Sequence, residues 1–308
     1  MRVFVTGASG WIGSAVVAEL GKAGHQVVGL ARSDRAAAHL EACGVAVLRG
    51  DLDDQELLRT GARESDGVIH LAFKHEIAFS PDGFATAASS ERQAIEALGE
   101  ALTGSRRPLV IASGTPAVPG RVATESDEAG AVGPAALRGA NAQAALALAA
   151  RGVRSAVVRL PRSVHGEGEV HGFIPRLIAI ARDKGVSGYV GDGTSRWPAV
   201  HVLDAAHLFR LALENAPAGS VLHAVGDEAI PTRQIAEVIG RQLNLPTVSA
   251  PPDQFGFLGL VLAGDQPASS AKTQDLLSWR PAQPGLIADL EAGHYFAQIP
   301  QAQSSGPR

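Results

Sequence analysis

The sequence predicts an α/β fold in which a doubly wound parallel sheet is joined to a smaller C-terminal lobe. In the first half of the chain, short β-branched runs alternate with segments whose apolar residues recur at the helical period. The strand candidates are almost entirely apolar, which is typical of strands that helices cover on both faces. The connections between them are short, so right-handed β–α–β crossovers are expected.

Strands and helices alternate regularly over residues 1–165, which we predict to form the sheet domain. The strands are expected at Arg2–Thr6, Gln26–Ala31, Val45–Arg49, Gly67–Leu71, Pro108–Ala112 and Ser155–Leu160. The helices between them are expected at Trp11–Lys22, Asp34–Ala42, Gln55–Gly61, Phe84–Leu102 and Pro134–Ala150.

The pattern changes beyond residue 161, where Pro and Gly become frequent and few strong strands separate the helices. The predicted helices are Phe173–Asp183, Asp204–Glu214, Thr232–Gln242, Gln254–Ala263, Ser269–Leu277 and Leu286–Phe296. We predict a second lobe over residues 166–298, partly interleaved with the sheet, and a flexible tail over residues 299–308.

The composition argues against several classes of protein. The net charge of −4 lacks the basic excess of a nucleic-acid binder, and Lys and Arg are too scattered for a membrane-surface patch. No apolar run is long enough to span a bilayer, and the chain enters its first strand without room for a signal peptide. Cys43 is the single cysteine, and no Cys/His cluster has metal-ligand spacing. We expect a cytoplasmic protein without metal, nucleic-acid or membrane partners.

A glycine-rich turn joins the first strand to the first helix at residues 6–13, TGASGWIG. Gly7 permits a tight turn, Gly10 lets the backbone approach a pyrophosphate, and Gly13 lets helix and strand pack closely. The helix N-terminus adds free N–H groups and a positive dipole. A turn without a ligand is the alternative, but the strand–turn–helix context favours a Rossmann-type dinucleotide site. The expected contacts are Thr6, Gly7, Ser9, Gly10, Trp11, Ile12 and Gly13, although Trp11 also suits local packing.

The spacing Thr-Gly-x-x-Gly-x-x-Gly resembles that of the extended and atypical short-chain dehydrogenase/reductase superfamily, which includes nucleotide-sugar epimerases and dihydroflavonol-reductase-like enzymes. The resemblance continues through residues 191–206, similar to the family's Gly-x-Gly…Val-His-Val-x-Asp stretch, and through Leu276–Pro281, with Ser278 in the place of a glycine. It implies a Rossmann fold, a nicotinamide cofactor and a second lobe that binds a small-molecule substrate. Within residues 191–206, Asp204 is expected to cap a helix.

The end of the second predicted strand favours NADP(H). NAD-selective sites place an acid there, but this chain has Ala31. The basic and hydroxyl side chains of Arg32, Ser33 and Arg35 follow, and an arginine can bind a 2′-phosphate through paired, charge-assisted hydrogen bonds. A solvated loop residue is the alternative interpretation of Arg32.

The resemblance implies further cofactor contacts along the sheet edge. An Asp-hydrophobic pair after the third strand, here Asp51 and Leu52, meets the adenine in the family, although Asp51 could instead cap the next helix. The segment after His70 resembles the family's His-x-Ala segment along the cofactor. Residues 161–166 resemble its Pro-x-x-Val-Tyr-Gly loop near the nicotinamide. The contacts implied by these two segments are Leu71, Ala72, Phe73, Pro161 and Val164.

The catalytic residues depart from the family pattern. Ser113 directly follows the fifth predicted strand, where the resemblance implies a Ser or Thr that binds the reacting oxygen, and it is also an expected cofactor contact. A serine that caps a turn is the alternative. The family's Tyr-x-x-x-Lys dyad is missing, because residues 114–151 contain neither Tyr nor Lys. Arg138, near the lost tyrosine, is a poor proton donor because its pKa is too high. The candidate substitutes are Lys74, His75, Tyr189 and His165, of which His75 could titrate near neutral pH.

These features predict an NADPH-dependent reductase of a small carbonyl or imine-like substrate, with atypical proton donation. The apolar run at Phe255–Leu260 hints that the substrate is fairly hydrophobic, although a core helix would have the same pattern. A non-catalytic NADP-binding regulator and an epimerase or isomerase of the same superfamily are the alternatives. The protein is expected to be a monomer or a homodimer.

Overall fold

The computed structural model describes residues 1–78, 83–128 and 133–297; of Gly133–Ala135 it describes the backbone alone. The predicted tail at residues 299–308 lies outside the described residues. No helix in the described part of the chain is long and apolar enough to cross a membrane.

The first half alternates strands and helices as predicted. The strands are β1 (Arg2–Thr6), β2 (Gln26–Ala31), β3 (Ala46–Arg49), β4 (Gly67–His70), β5 (Pro108–Gly114) and β6 (Arg154–Leu160). The helices are α1 (Trp11–Lys22), α2 (Asp34–Ala42), α3 (Gln55–Arg63), α4 (His75–Ala78), α5 (Gly83–Leu102) and α6 (Gly133–Ala147).

The second half contains more strands than the sequence indicated. Its strands are β7 (Ser163–His165), β8 (Ser187–Tyr189), β9 (Arg196–His201), β10 (Ser220–His223), β11 (Asp227–Pro231) and β12 (Thr247–Ser249). Its helices are α7 (Phe173–Lys184), α8 (Val202–Asn215), α9 (Thr232–Leu243), α10 (Leu258–Ala263), α11 (Ala271–Leu277) and α12 (Leu286–Glu291). These strands are only three to six residues long, too short for an alternating pattern to stand out.

The predicted fold class is confirmed. Within the described chain, seven parallel strands form one sheet in the order β3-β2-β1-β4-β5-β6-β10. From β1 the chain adds β2 and β3 on one side, and from β4 it adds β5 and β6 on the other side. The crevice at the carboxyl ends of β1 and β4, where this order switches, is the place where doubly wound folds bind their ligands. Two small sheets, β7-β9-β11 and β8-β12, lie in the C-terminal half.

Two apolar layers cover the main sheet. One layer packs α1 and α8 on Val3, Val5 and Val110. The other packs α3, α5 and α6 on the opposite face, which carries Leu109 and Ile111 of β5. Because side chains alternate along a strand, Ser113 points to the same face as these last two residues and toward α6.

Three predicted helices end or break earlier than expected, and a left-handed glycine lies at or soon after each break. A 3₁₀ turn at Leu148–Arg151 replaces the predicted last residues of the helix that contains α6, and Gly152 (φ +73°) ends this turn. Gly256 (φ +56°) separates the 3₁₀ segment Pro252–Phe255 from α10, and Gly293 (φ +87°) follows α12. Left-handed backbone suits glycine because it has no Cβ.

The start of α8 corrects the role predicted for Asp204. The helix begins at Val202, and its cap is His201, whose Nδ1 accepts a hydrogen bond from the Leu203 N–H at 3.2 Å. Asp204 is buried and accepts hydrogen bonds from the N–H groups of Ala282 and Gln283, each at 3.0 Å. Asp204 therefore joins α8 to the C-terminal segment instead of capping the helix.

Candidate functional site

The glycine-rich turn has the close approaches that its sequence predicts. Gly7 has a φ of +71°, and a Cβ there would lie 2.8 Å from the backbone nitrogen of Ala72 at the end of β4. A Cβ on Gly13 would lie 1.9 Å from the Gly7 carbonyl oxygen. The Gly10 N–H donates to that same oxygen at 3.0 Å, which closes the turn.

The N-terminus of α1 is suited to a diphosphate. Gly10 is the N-cap and provides no side-chain hydrogen bond, and the first turn has no acidic residue. Ser9 and Gly10 are exposed, and Trp11 and Ile12 are half-buried. The free N–H groups and positive end of this helix are therefore accessible to an anion, as a dinucleotide cofactor requires.

Thr6 directs its side chain into the sheet, so any contact with a cofactor would come from its backbone. It is fully buried, and its hydroxyl lies 2.8 Å from Nδ1 of His70 and accepts from the Ala72 N–H at 3.3 Å. Burial, helped by the positive charge of Arg138, lowers the pKa of His70 to about 3. Thr6 and His70 thus form an uncharged contact that fixes β1 to β4 beneath the turn.

Arg32 and Ser33 lie at the carboxyl end of β2, as predicted. Arg32 is exposed and forms an ion pair with Glu76 of α4. The Ser33 hydroxyl caps α2 by accepting from the Ala36 N–H at 3.2 Å, and Arg35 is exposed on the first turn of that helix. Partial burial works to raise the pKa of Glu76, but the pairing with Arg32 holds it below its ordinary value.

Lys74 is held at this same end of the crevice. Its ammonium group contacts the carboxylates of Asp53 and, at 3.5 Å, Asp51, and these carboxylates hold the pKa of Lys74 above its ordinary value although burial opposes the shift. Asp51 does not cap α3, because Asp54 does so by accepting from the Leu57 N–H at 3.0 Å. The structure therefore places Lys74 beside the loop after β3 instead of beside Ser113.

Leu52 lies in the same loop, and its side chain is buried. Only 6% of its surface is exposed, and it packs in the apolar layer beneath α3 and α5. Leu71, Ala72 and Phe73 are half-buried at the end of β4, where a cofactor in the crevice could reach them.

Arg138 lies beside Ser113 on the face of the sheet that α6 covers. Its guanidinium donates to the Ala112 carbonyl oxygen at 2.9 Å and lies 4.4 Å from the centre of the Phe73 ring. Ser113 is 8% exposed at the end of β5. A fixed positive charge thus occupies the region where the family's tyrosine was expected.

Glu91 and Asn141 hold Arg138 in place, and sequence reasoning missed both. Arg138 lies 3.1 Å from Glu91 Oε1, and the Asn141 side-chain amide donates to Oε2 at 2.8 Å. Burial raises the pKa of Glu91 although Arg138 and Asn141 work against the shift. The available signal was an acidic residue among the apolar positions of α5, since Glu91 lies three residues before Ala94 on the buried face.

His75 adjoins this group. Its ring packs edge-on against Phe73, with the ring centres 5.0 Å apart. Partial burial and the positive charge of Arg138 lower the pKa of His75, and Arg176 of α7 adds to the shift. The C-terminal lobe therefore faces His75 from across the crevice.

Val164 connects the loop after β6 to the nucleotide turn. Its carbonyl oxygen accepts a hydrogen bond from the Trp11 indole at 2.7 Å. Pro161 is buried at the end of β6, and Val164 is half-buried in β7. Trp11 therefore supports the site by joining two of its loops.

The structure does not bring His165 and Tyr189 to the catalytic end. His165 is fully buried, with Nδ1 2.8 Å from Oδ2 of Asp289. Tyr189 lies in β8, and its ring contacts the guanidinium of Arg233 at 5.5 Å. His165 cannot touch a substrate without a rearrangement, and Tyr189 lies among elements of the C-terminal lobe.

Comparisons with known proteins bear on the family and the fold of the chain. Residues 3–224 match the sequence profile of the NAD dependent epimerase/dehydratase family. An uncharacterized protein of Saccharomyces cerevisiae is 48% identical over 301 residues, which cover 96% of this chain and 99% of the yeast protein. A 2-alkyl-3-oxoalkanoate reductase of Stenotrophomonas maltophilia is 28% identical over 263 residues, which cover 80% of this chain and 77% of the reductase.

Two solved structures share the fold over almost the whole chain. The UDP-glucose 4-epimerase of Thermotoga maritima, solved with UDP-glucose, has a TM-score of 0.79 at 19% identity and covers 96% of this chain and 98% of its own. The dTDP-glucose 4,6-dehydratase of Streptomyces venezuelae, solved with NAD, has a TM-score of 0.76 at 21% identity, with 96% of both chains covered. The proteins similar to this chain thus include reductases as well as epimerases.

Proposed function

This chain belongs to the NAD-dependent epimerase/dehydratase family, whose members are NAD(P)-dependent oxidoreductases and epimerases, and we propose that it is an NADPH-dependent reductase. Its substrate is a small, fairly hydrophobic carbonyl or imine-like compound. The observation that carries the proposal is that Arg138 and His75 both pack on Phe73, next to the nucleotide turn, while Arg138 also holds the Ala112 carbonyl that precedes Ser113.

The cofactor assignment is supported by two features of this chain. The uncapped start of α1 would hold the diphosphate, and Arg32, Ser33 and Arg35 would hold a 2′-phosphate. Ala31 leaves the end of β2 without the acid of an NAD-selective site. When bound, the cofactor supplies the hydride.

In this proposal, Ser113 orients the substrate oxygen and Arg138 stabilises the negative charge that forms on it. The guanidinium is held by Glu91 and the Ala112 carbonyl, so it needs no rearrangement when charge develops. His75 delivers the proton, directly or from water. Its lowered pKa makes the protonated ring a stronger acid but a rarer one at pH 7, so kcat should increase as the pH is lowered.

The remaining candidates receive other assignments. Lys74 is assigned to the adenosine end because Asp51 and Asp53 hold it there. Tyr189 and His165 are assigned no direct contact with substrate. The side chains of Phe257 and Leu260 are exposed, and Phe257 packs on Phe173 of α7. This exposed apolar surface supports an apolar substrate.

The test is a screen of short- and medium-chain 3-oxo acids, their esters and cyclic imines, followed by NADPH absorbance. Ser113→Ala and His75→Gln should each lower kcat by about a hundredfold or more, whereas His39→Gln on the exposed side of α2 should leave it unchanged. Turnover that survives both site substitutions contradicts the assignment.

Two other outcomes would favour the alternatives. Tight NADPH binding without consumption by any compound would favour a regulator. Product formation without net oxidation of NADPH would favour an epimerase; one solved structure of the same fold is a UDP-glucose 4-epimerase.

A further inference from the structure

The segment that follows β4 is tied by ion pairs to the ends of two neighbouring strands. Lys74 contacts Asp51 and Asp53 in the loop after β3. Two residues later, Glu76 pairs with Arg32 at the end of β2. The start of α4 therefore lies across the end of the crevice where the proposed cofactor would place its adenosine.

Glu76 supplies the carboxylate that the end of β2 lacks. In NAD-selective sites an acid of the second strand accepts hydrogen bonds from the ribose hydroxyls, and here that position is Ala31, which is 2% exposed. Glu76 brings an acidic side chain to the guanidinium of Arg32, the residue that follows Ala31, from an element 44 residues away in sequence. The side chains of Arg32 and Glu76 are 59% and 46% exposed, so both are within reach of a ligand.

We propose that Glu76 determines the choice between NADPH and NADH. Its carboxylate competes with the 2′-phosphate of NADPH for the Arg32 guanidinium, and it accepts a hydrogen bond from the 2′-hydroxyl of NADH. The proposal rests on the proposed use of a nicotinamide cofactor and deepens it, because the pair would let one site accept both cofactors in a ratio set by Glu76.

The competition follows from the charges involved. An exposed ion pair contributes little free energy, so a doubly charged phosphate can displace the carboxylate from Arg32. The displaced carboxylate remains close to the phosphate and repels it. NADH has no phosphate, so Glu76 keeps its contact with Arg32 and gains one with the ribose.

The test measures binding by calorimetry, with no turnover required. NADPH, NADH, 2′,5′-ADP and 5′-ADP are titrated into the wild-type protein and into Glu76→Gln. The substitution should tighten NADPH and 2′,5′-ADP about three- to tenfold and leave NADH and 5′-ADP unchanged or weaker. The matched control is Glu64→Gln, which removes the same charge from an exposed pair with Arg2 at the amino end of β1, away from the crevice.

A double substitution tests whether Glu76 acts through Arg32. In an Arg32→Gln background, replacing Glu76 should tighten NADPH much less than in the wild type, because the competition for Arg32 is gone. An NADPH-to-NADH affinity ratio that does not move in Glu76→Gln, or an NADPH affinity that moves equally in both backgrounds, overturns this inference and leaves the proposed reductase intact. A wild-type protein that binds none of the four probes overturns the proposed function and this inference together.

Discussion

At the scale of single residues, the nucleotide turn depends on the absence of a side chain at Gly13. A Cβ there would lie 1.9 Å from the Gly7 carbonyl oxygen and 2.8 Å from the Gly7 carbonyl carbon. Both are backbone atoms of a turn that the Gly10 N–H already closes, so no flexible neighbour can give way. Strand β1 and helix α1 can pack this closely only around glycine.

Gly13→Ala should therefore lower the free energy of unfolding by more than about 2 kcal/mol, because the turn must open to admit the methyl group. Urea denaturation measures the loss, and NADPH binding should weaken in parallel. The control is Gly21→Ala in the same helix, where a Cβ meets nothing within 4 Å. That variant should gain up to about 1 kcal/mol from helix propensity, and equal losses in both variants would contradict the steric argument.

Glu169 is a buried carboxyl group in the C-terminal lobe. It is 7% exposed and accepts a hydrogen bond from the Tyr295 hydroxyl at 2.6 Å. Burial raises its pKa from 4.5 to about 7, although the bond from Tyr295 opposes the shift. The same hydroxyl lies 3.0 Å from the Gly166 nitrogen, which donates to it, so this group supports the loop after β7.

Stability should fall as the pH rises through the range set by Glu169. The folded state binds this proton more tightly than the unfolded chain, so the stabilisation is complete below pH 4.5 and is lost as the pH rises toward 7. Relative to that of Glu169→Gln, the free energy of unfolding of the wild type should fall by on the order of 2–3 kcal/mol between pH 5 and pH 8. Urea denaturation at both pH values measures this difference. Glu167→Gln, an exposed carboxylate two residues away, should show no such divergence.

At the scale of elements, Arg162 connects the β6–β7 turn to the segment around α10. Its guanidinium donates to the carbonyl oxygens of Val261 and, at 2.8 Å, Gly264, and to the side chain of Gln266. Burial lowers its pKa to about 10. One planar group with several donors thus fixes a short helix that has few other attachments to the sheet domain.

Arg162→Lys should loosen α10 selectively, because one ammonium group cannot reach all three acceptors and leaves partly buried carbonyls without partners. Hydrogen exchange of Leu258–Ala263 should become at least about tenfold faster, which corresponds to about 1.4 kcal/mol, while exchange in β1 stays unchanged. Arg196→Lys is the control, since its pair with Asp265 is more than one-third exposed. Uniform acceleration across the chain would indicate global destabilisation instead.

At the scale of the whole molecule, the second half of the chain completes the sheet of the first half. Strand β10 pairs with β6 in parallel, with Val221 opposite Val157. Helix α8 packs on α1 through Leu208, Phe209 and Leu213. The predicted division at residue 165 therefore falls between elements that pack together in one core: β6 and β10 in the sheet, and α1 and α8 on its face.

A fragment of residues 1–165 should fail to fold cooperatively, because it exposes the face of α1 and the edge of β6 that α8 and β10 cover. Circular dichroism and urea denaturation should show no sharp transition for this fragment, whereas residues 1–297 should unfold in one transition like the full chain. A cooperative transition of the short fragment would show that the sheet domain is independent of the second half.

The sequence alone determined the framework of the cofactor site. The bounds of β1, β2, α1 and α2 agree with the prediction. The signals that set them, apolar periodicity and the glycine turn, are local and can be read within about a dozen residues of sequence. The replacement of an acid by Ala31 and the lack of a Tyr-x-x-x-Lys dyad are also properties of local sequence. Ser278 occupies a position where the family pattern has a glycine. Its backbone is left-handed (φ +52°), a conformation that favours glycine.

Only the tertiary structure decided which charged groups meet. The Glu91–Arg138 pair joins residues on two helices, and the Arg32–Glu76 pair joins the end of β2 to α4. Neither pairing leaves a periodic signal, because local patterns specify the face of an element that is buried but not the partner that it meets. His165 illustrates the limit, since its sequence context predicted a place near the nicotinamide, whereas the structure buries its ring against Asp289.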